Sequence, residues 1–301
     1  MTVKEQVLTI LEKNTAISGE NIAKQIGCTR AAVWKAIKSL QNEGMEIEGV
    51  NNKGYTLKRT GDVISQSYIE KAVKDAGFDI DIMCVKTIDS TNNKLKAMAF
   101  EGHRRDLILI AEEQTAGRGR RGRSFYSPEG TGVYLSFLLH PNIDVTDAPM
   151  LTTMAVTAEA CAIEKVTNQE VGIKWVNDVV IDNKKVSGIL TEAQLSMEDG
   201  GLDYVVCGIG INLYKPAEDF PEEIKDIAGA IINGDKIDNL KNQLLSEFII
   251  TFMNYYAALP KIEYLDDYKK RCYVIGKEVD LLPAETVFLY SVPFSSYKAT
   301  V

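Results

Sequence analysis

The chain has 301 residues, with 34 Lys+Arg against 42 Asp+Glu and a formal net charge of −8. That length suggests two or three domains with ample material for a core, and 25% charged with 45% hydrophobic residues argues against wholesale disorder or a fibrous repeat. Five cysteines stand singly, at Cys28, Cys84, Cys161, Cys207 and Cys272, beside two histidines. A metal site built from protein ligands alone is therefore not expected, and isolated thiols suit a reducing compartment. Lys4, Glu5, Glu12 and Lys13 interrupt the start, so no signal peptide is read there, and no run reaches the ~18 apolar residues of a membrane span. A cytoplasmic protein without a membrane partner is expected.

Residues 1–60 carry nine Lys+Arg and six Glu, a net of +3, so the remainder carries −11 of the total of −8. Within this mildly basic head, Val3, Val7, Ile10 and Leu11 recur at helical spacing. Ser18 can cap a second helix that buries Ile22, Ala23 and Ile26 and stops at Gly27. Thr29 can cap a third, with Val33, Ile37 and Leu40 on one stripe and Ala31, Lys35, Lys38 and Asn42 opposite. Two short runs, Met45 to Val50 and Tyr55 to Leu57, flank Asn51-Asn52-Lys53-Gly54 and signal a hairpin. Three helices and a hairpin in that order predict a winged helix-turn-helix over residues 1–62. Thr29, Arg30, Ala31 and Lys35 are the candidates for base contact in a major groove, and Lys38 and Lys53 for phosphates. The other reading of such a head is a protein-interaction domain. One copy with a net charge of only +3 favours a dimer on two half-sites over a monomer.

Residues 63–267 alternate helical and strand-like patterns. Helices are expected at Ser65 to Ala76, Ser90 to Phe100, Ala148 to Thr167 and Leu240 to Leu259. Strands are expected at Ile82 to Ile88, Asp106 to Glu112, Tyr134 to Leu139, Gly172 to Val176, Val179 to Ile181, Gly188 to Gln194 and Tyr204 to Asn212. Consecutive strands without intervening helices point to an α+β domain with a mixed, largely antiparallel sheet.

Four motifs carry chemistry. Gly117-Arg118-Gly119-Arg120-Arg121-Gly122-Arg123 satisfies the dinucleotide template but continues into Ser124 to Gly130, a helix-breaking segment, so the Rossmann reading fails. What remains is a flexible loop with four arginines, suited either to a small phosphorylated ligand or to nucleic acid. The acidic body around it favours the former. Lys174-Trp175-Val176-Asn177-Asp178 and Lys184-Lys185-Val186-Ser187-Gly188 place lysines on short strands, where they serve a ligand or merely protect a strand edge. The small residues of Cys207-Gly208-Ile209-Gly210-Ile211-Asn212 allow close ligand approach, and Asp89-Ser90-Thr91-Asn92-Asn93 caps a helix or grips a polar ligand.

In this order the motifs resemble the biotin protein ligases of the bifunctional bacterial kind that also repress the biotin operon. The resemblance covers residues 1 to about 279 and rests on Ser90-Thr91-Asn92, the run Gln114 to Arg123, Lys174 to Asp178, Lys185 with Gly188-Ile189-Leu190, and Gly208 to Asn212. It implies that biotin and MgATP form biotinyl-5'-AMP, and that biotin then passes to a lysine of a biotin carboxyl carrier protein, part of acetyl-CoA carboxylase or another biotin-dependent carboxylase. It implies that Ser90, Thr91, Asn92 and Gln114 hold the biotin head, that Gly117, Arg118, Gly119 and Arg120 close over the ligand, and that Gly188 and Leu190 line the pocket. Lys185, Arg118 and Arg120 would offset charge at the reacting centre. Arg120, Arg121, Phe125, Lys174, Asn177, Asp178 and Asn212 would serve the nucleotide. The adenylate would also act as corepressor, pairing two chains into a homodimer on a palindromic operator.

Val176 stands where the family usually has proline, and Phe125 where tryptophan is common. Cys272 to Val279 resembles the first strand of a small SH3-like C-terminal domain, but Leu281 to Val301 lacks the glycine-punctuated strands that should follow, so 268–301 is expected to be an incomplete β domain with a foreign apolar stretch at Val287 to Phe294. A lipoate-type ligase and a non-catalytic ligand-sensing regulator are the competing readings.

Overall fold

The structure, a computed structural model, describes residues 2–13, 16–42, 45, 47–50, 53–57, 62–196, 200–281 and 297–300. By contacts the chain divides into one compact unit of residues 1–77 with 234–246 and another of 78–233 with 247–301.

In the first unit, α1 (Val3–Lys13), α2 (Gly19–Ile26) and α3 (Arg30–Asn42) precede the antiparallel pair β1 (Ile47–Val50) and β2 (Gly54–Leu57). Ser18 caps α2 by accepting from the Asn21 amide, and Gly27 ends it at φ 69°, a left-handed position that favours glycine. Val7, Leu11, Ile22, Val33, Ile37, Leu40 and Ile47 close one apolar core. Ile17 adds a third extended segment beside β2, exchanging backbone hydrogen bonds with Tyr55 at 2.9 and 2.7 Å. This is the expected winged helix-turn-helix order. The expected hairpin residues Asn51 and Asn52, and Glu46, lie outside the described residues. The helix α4 (Gln66–Asp75), capped by Ser65, completes this part.

The second unit is built on a seven-stranded mixed sheet. Its strands are β3 (Asp81–Ile88), β4 (Leu107–Gln114), β5 (Gly132–Leu139), β6 (Gly172–Lys174), β7 (Asp178–Ile181), β8 (Lys184–Leu195) and β9 (Leu202–Asn212), in spatial order β3-β4-β5-β9-β8-β7-β6. Only the β3–β4 pair is parallel, joined through α5 (Thr91–Phe100). On one face, Leu95 and Ala99 of α5 pack on Leu107, Leu109, Leu138, Tyr204 and Val206. On the other lies α6 (Pro149–Thr167), ten of whose residues are buried, which is why its sequence is small and apolar on nearly every side. From α7 (Leu240–Ala257), Phe248 meets Phe137 of β5 edge-on and Phe252 packs on it at a tilt, with centroids 5.8 and 4.4 Å away.

Three details differ from expectation. The strand read as Gly188 to Gln194 begins at Lys184 and lies between β7 and β9, so Lys184 is no edge guard; its ammonium donates to the Asp226 carbonyl at 2.6 Å. An unanticipated helix, α8 (Tyr264–Arg271), anchors through Arg271, whose guanidinium meets the Glu164 carboxylate of α6 at 2.6–3.1 Å. Beyond it, β10 (Glu278–Leu281) and β11 (Tyr297–Thr300) pair antiparallel. Residues 282–296, including the apolar stretch 287–294, lie outside the described residues.

Candidate active site

The junction between β3 and α5 sets one end of the site. Ser90 caps α5 by accepting from the Asn93 amide at 3.4 Å, leaving Thr91 and Asn92 facing inward and buried. Gln114 closes on Thr91, its carbonyl accepting from the Thr91 amide at 2.9 Å and hydroxyl at 3.1 Å. Beneath them is a residue the motif reading missed, Ser136. Its hydroxyl lies 2.6 Å from Asn92 Oδ1 and 2.7 Å from Thr91 Oγ1. A serine in the middle of the otherwise apolar and aromatic run of β5 was the available signal.

Ser90, Thr91, Asn92 and Gln114 line a cleft together with Arg118, Phe125, Gly188, Leu190, Gly208, Ile209 and Gly210, with Ser136 behind that lining. The glycines of β9 leave room for the protein's own side chains. A Cβ on Gly208 would stand 1.9 Å from Asn92 Oδ1, and one on Gly210 would stand 2.4 Å from the Phe125 ring. The expected close approach is thus taken up by Asn92 and Phe125, which shape the cleft in turn.

The other end depends on a β-bulge. Asp178 pairs with Gly188 and Val179 with Ser187, but Val180 pairs with Lys185, so Val186 is the extra residue. Strict alternation would put Lys185 on the face of Ser187 and Ile189, away from Gly188 and Leu190. The bulge returns it to the cleft face, where its ammonium meets Asp178 Oδ1 at 2.7 Å. Gly188 makes this possible, since a Cβ there would lie 2.9 Å from the Lys185 Cε and Nζ. The same transverse row continues outward to Lys174, opposite Asp178 on β6.

The glycine–arginine run, expected as a flexible loop, forms a tight hairpin. The Gly119 amide donates to the Arg123 carbonyl at 2.7 Å and the Phe125 amide to the Gly117 carbonyl at 2.9 Å, with Arg121 at φ 58° and Gly122 at φ 74° turning the tip. Its arginines part company. The Arg120 guanidinium donates to Asn177 Oδ1 at 2.8 Å, and Asn177 Nδ2 donates to the Ile189 carbonyl at 2.8 Å, tying the hairpin to the Lys185–Asp178 end. Arg118 turns toward α5, donating to Asn93 Oδ1 at 2.9 Å and pairing with Glu192 at 3.2 Å. Arg121 is exposed at the tip, and Asn212 donates to the Gly229 carbonyl at 3.1 Å. Gly117 and Gly119 stand in the hairpin, outside the cleft lining.

On the opposite face of the sheet, Glu159 of α6 is fully buried, and neither carboxylate oxygen has a hydrogen-bond partner among the described residues. Burial pushes its carboxyl up to about 8, against the pull of the Ser187 hydroxyl and of the Lys185 cation. Burial also pushes the Cys207 thiol up to about 12. Among the described residues, no cluster of three or more His, Cys, Asp or Glu could hold a metal ion, and no helix is long and apolar enough to cross a membrane.

In the winged unit, Arg30, Ala31, Lys35 and Lys38 are exposed on α3, as is Lys53 beside β2. Thr29 is exposed too, but its hydroxyl accepts the Ala32 amide at 3.2 Å and so caps the helix. Trp34, which charge patterning passed over, lies in the middle of this exposed arc with 52% of its surface accessible.

Known proteins match both units. An HTH-domain profile matches residues 3–56, and the profile of the Biotin/lipoate A/B protein ligase family matches residues 84–212. The bifunctional ligase/repressor BirA of Bacillus spizizenii is 39% identical over 224 residues, 74% of this chain and 68% of that one. Its namesake in Bacillus subtilis is 37% identical over 241 residues, 79% of this chain and 74% of that one. The chain belongs to the bifunctional ligase/repressor family. It is by class a biotin protein ligase. Among solved structures, the ligase resembles the biotin protein ligase from Aquifex aeolicus in complex with biotin and ATP, with a TM-score of 0.55 and 30% identity over 73% of this chain and 86% of that one. A Leishmania major biotin protein ligase in complex with biotin, 20% identical with a TM-score of 0.52 over 71% of this chain and 86% of that one, shows the shared fold.

Proposed function

We propose that the ligase condenses biotin with ATP and then transfers biotin to a lysine of a biotin carboxyl carrier protein, within acetyl-CoA carboxylase or another biotin-dependent carboxylase. In the first step a biotin carboxylate oxygen attacks the α-phosphorus of ATP. A P–O bond forms, the α–β anhydride bond breaks, and pyrophosphate leaves biotinyl-5'-AMP behind. In the second, a deprotonated lysine amine attacks the acyl carbon, AMP departs with the bonding pair, and the amine gives up a proton. These substrates assign the work to the cytoplasm.

One observation carries this reading: the Val186 bulge turns Lys185 onto the cleft face beside Asp178, with Arg120 held next to them by Asn177. Bringing a carboxylate against a triphosphate is opposed by charge repulsion, and fixed cations aimed at the reacting phosphorus lower that barrier without reorganising. Ser90, Thr91, Asn92 and Gln114 form the polar end suited to the biotin head, with Gly188 and Leu190 beside it. Lys174, Asn177, Asp178, Asn212, Arg120, Arg121 and Phe125 serve the nucleotide, and the hairpin from Gly117 through Gly119 covers the anhydride from water. The Asp178 carboxylate is a hard oxygen donor that would hold Mg²⁺ arriving with the triphosphate, and the ion would supply charge neutralisation at the phosphates. The winged unit supports the second role. With biotinyl-5'-AMP as corepressor, a homodimer brings two α3 helices to a palindromic operator, Arg30, Ala31 and Lys35 toward bases and Lys38 and Lys53 toward phosphates. The strands β10 and β11 belong, in this reading, to the start of a small SH3-like domain.

Incubation with labelled biotin, ATP and a purified carrier domain is expected to give ATP-dependent label on the carrier, with none from labelled lipoate. Replacing Lys185 with Ala is expected to abolish adenylate formation while the winged unit stays folded. Absence of ATP-dependent label, or full adenylation by K185A, overturns the assignment.

A further inference from the structure

We infer that Glu192 is a latch residue: it holds the Arg118 side chain of the hairpin against α5, and the strength of that hold sets how long biotin and its adenylate stay in the cleft. The inference rests on the ligase reading above and adds a positioning residue to it.

Glu192 lies on the same face of β8 as Gly188 and Leu190, opposite Val206 of β9. Both of its carboxylate oxygens are used. Oε1 meets the Lys96 ammonium at 2.8 Å and Arg118 Nη1 at 3.2 Å, and Oε2 accepts from Asn92 Nδ2 at 2.9 Å. Arg118 Nη1 also donates to Asn93 Oδ1 at 2.9 Å. One side chain thereby joins β8, α5 and the hairpin. Burial disfavours its charge, but the hydrogen bonds from Lys96 and Asn92 outweigh that and hold its carboxyl below its usual range.

Position along the strand separates the two arginines by task. Four residues at about 3.3 Å each put Glu192 about 13 Å from Gly188, over which Lys185 lies. The Arg118 guanidinium, turned toward Glu192 and neutralised there, is placed at the Asn92 end of the cleft. Arg120 remains with Asn177 and the Lys185–Asp178 pair. Arg118 is thus a staple for the hairpin, and Glu192 is its catch. Because Lys96 and Arg118 share Oε1, they compete for it, and the latch has a sign that a purely structural cross-link lacks.

The test measures dissociation of labelled biotin and of biotinyl-5'-AMP from the full-length protein by rapid chase. Glu192→Gln keeps an oxygen acceptor for Asn92 but loses the charge, and dissociation is expected to quicken roughly five- to tenfold, the size of one partly exposed charge-assisted contact. The single-turnover rate of adenylation at saturating substrate is expected to change less. Lys96→Met removes the competitor, and dissociation is expected to slow at least about twofold by the same reasoning. Unchanged dissociation in E192Q, or faster dissociation in both variants, overturns the latch; the second outcome marks a mere structural cross-link. Should E192Q fail to fold, the direction of the K96M effect decides. Failure of the unsubstituted protein to bind biotin at all would refute the ligase reading instead.

Discussion

Replacing Glu159 with Gln should stabilise the ligase unit at neutral and alkaline pH. The carboxyl is fully buried without a hydrogen-bond partner among the described residues, and its pKa rises from 4.5 to about 8. Above pH 4.5 the unfolded chain releases this proton while the folded protein keeps it. Stability from this group is therefore lost as pH rises from 4.5 to about 8 and is level beyond. At about 1.4 kcal/mol per pH unit, the cost is about 3 kcal/mol at pH 7. Glutamine keeps the shape and a polar end but cannot ionise, so the difference between variant and parent should grow from near zero at pH 4.5 to that size at pH 7. Urea unfolding at pH 5, 6, 7, 8 and 9, followed by far-UV circular dichroism, reads this directly. Parallel stability profiles for the two proteins, or a parent that outlasts the variant at pH 9, would show that the carboxyl is not held neutral in the folded state.

Other substitutions test the cleft and the head. Gly188→Ala brings a Cβ to 2.9 Å from the movable end of Lys185, so thermal stability should hardly change while adenylation falls roughly a hundredfold through displacement of the ammonium; unchanged turnover would contradict the placement of Lys185. Ser136→Ala leaves Asn92 Oδ1 without its buried donor, and a loss of about 1–3 kcal/mol in unfolding free energy together with weaker biotin binding by calorimetry is expected. For DNA, Lys38→Ala should lower the slope of log affinity against log salt by about 1, whereas Trp34→Ala should weaken binding with the slope intact, because an indole releases no counterion. Equal slopes for K38A and the parent would remove Lys38 from the phosphate contacts.

Much was legible in the chain because its signals are local. Ser18, Ser65 and Ser90 each sit one residue before a helix and cap it, and apolar periodicity located α1 to α7 within a few residues. Motif order likewise pointed to the residues that line the cleft, since Ser90, Thr91, Asn92, Gln114, Gly188 and Leu190 carry their spacing with them. Other features depend on partners far apart in sequence. Ser136 lies 44 and 45 residues from Asn92 and Thr91, and Glu192 lies 96 residues from Lys96. The helix α8, short and highly charged, is fixed by the clamp of Arg271 on Glu164, 107 residues away.

The sequence by itself determined which side chains this protein has available and on which elements they ride. Only the tertiary structure decided which way they face. A run such as Lys185-Val186-Ser187-Gly188 has no local preference for a bulge at Val186. The extra residue exists because β7 pairs in one register with Ser187 and Gly188 and in another with Lys184 and Lys185, and that choice belongs to the sheet.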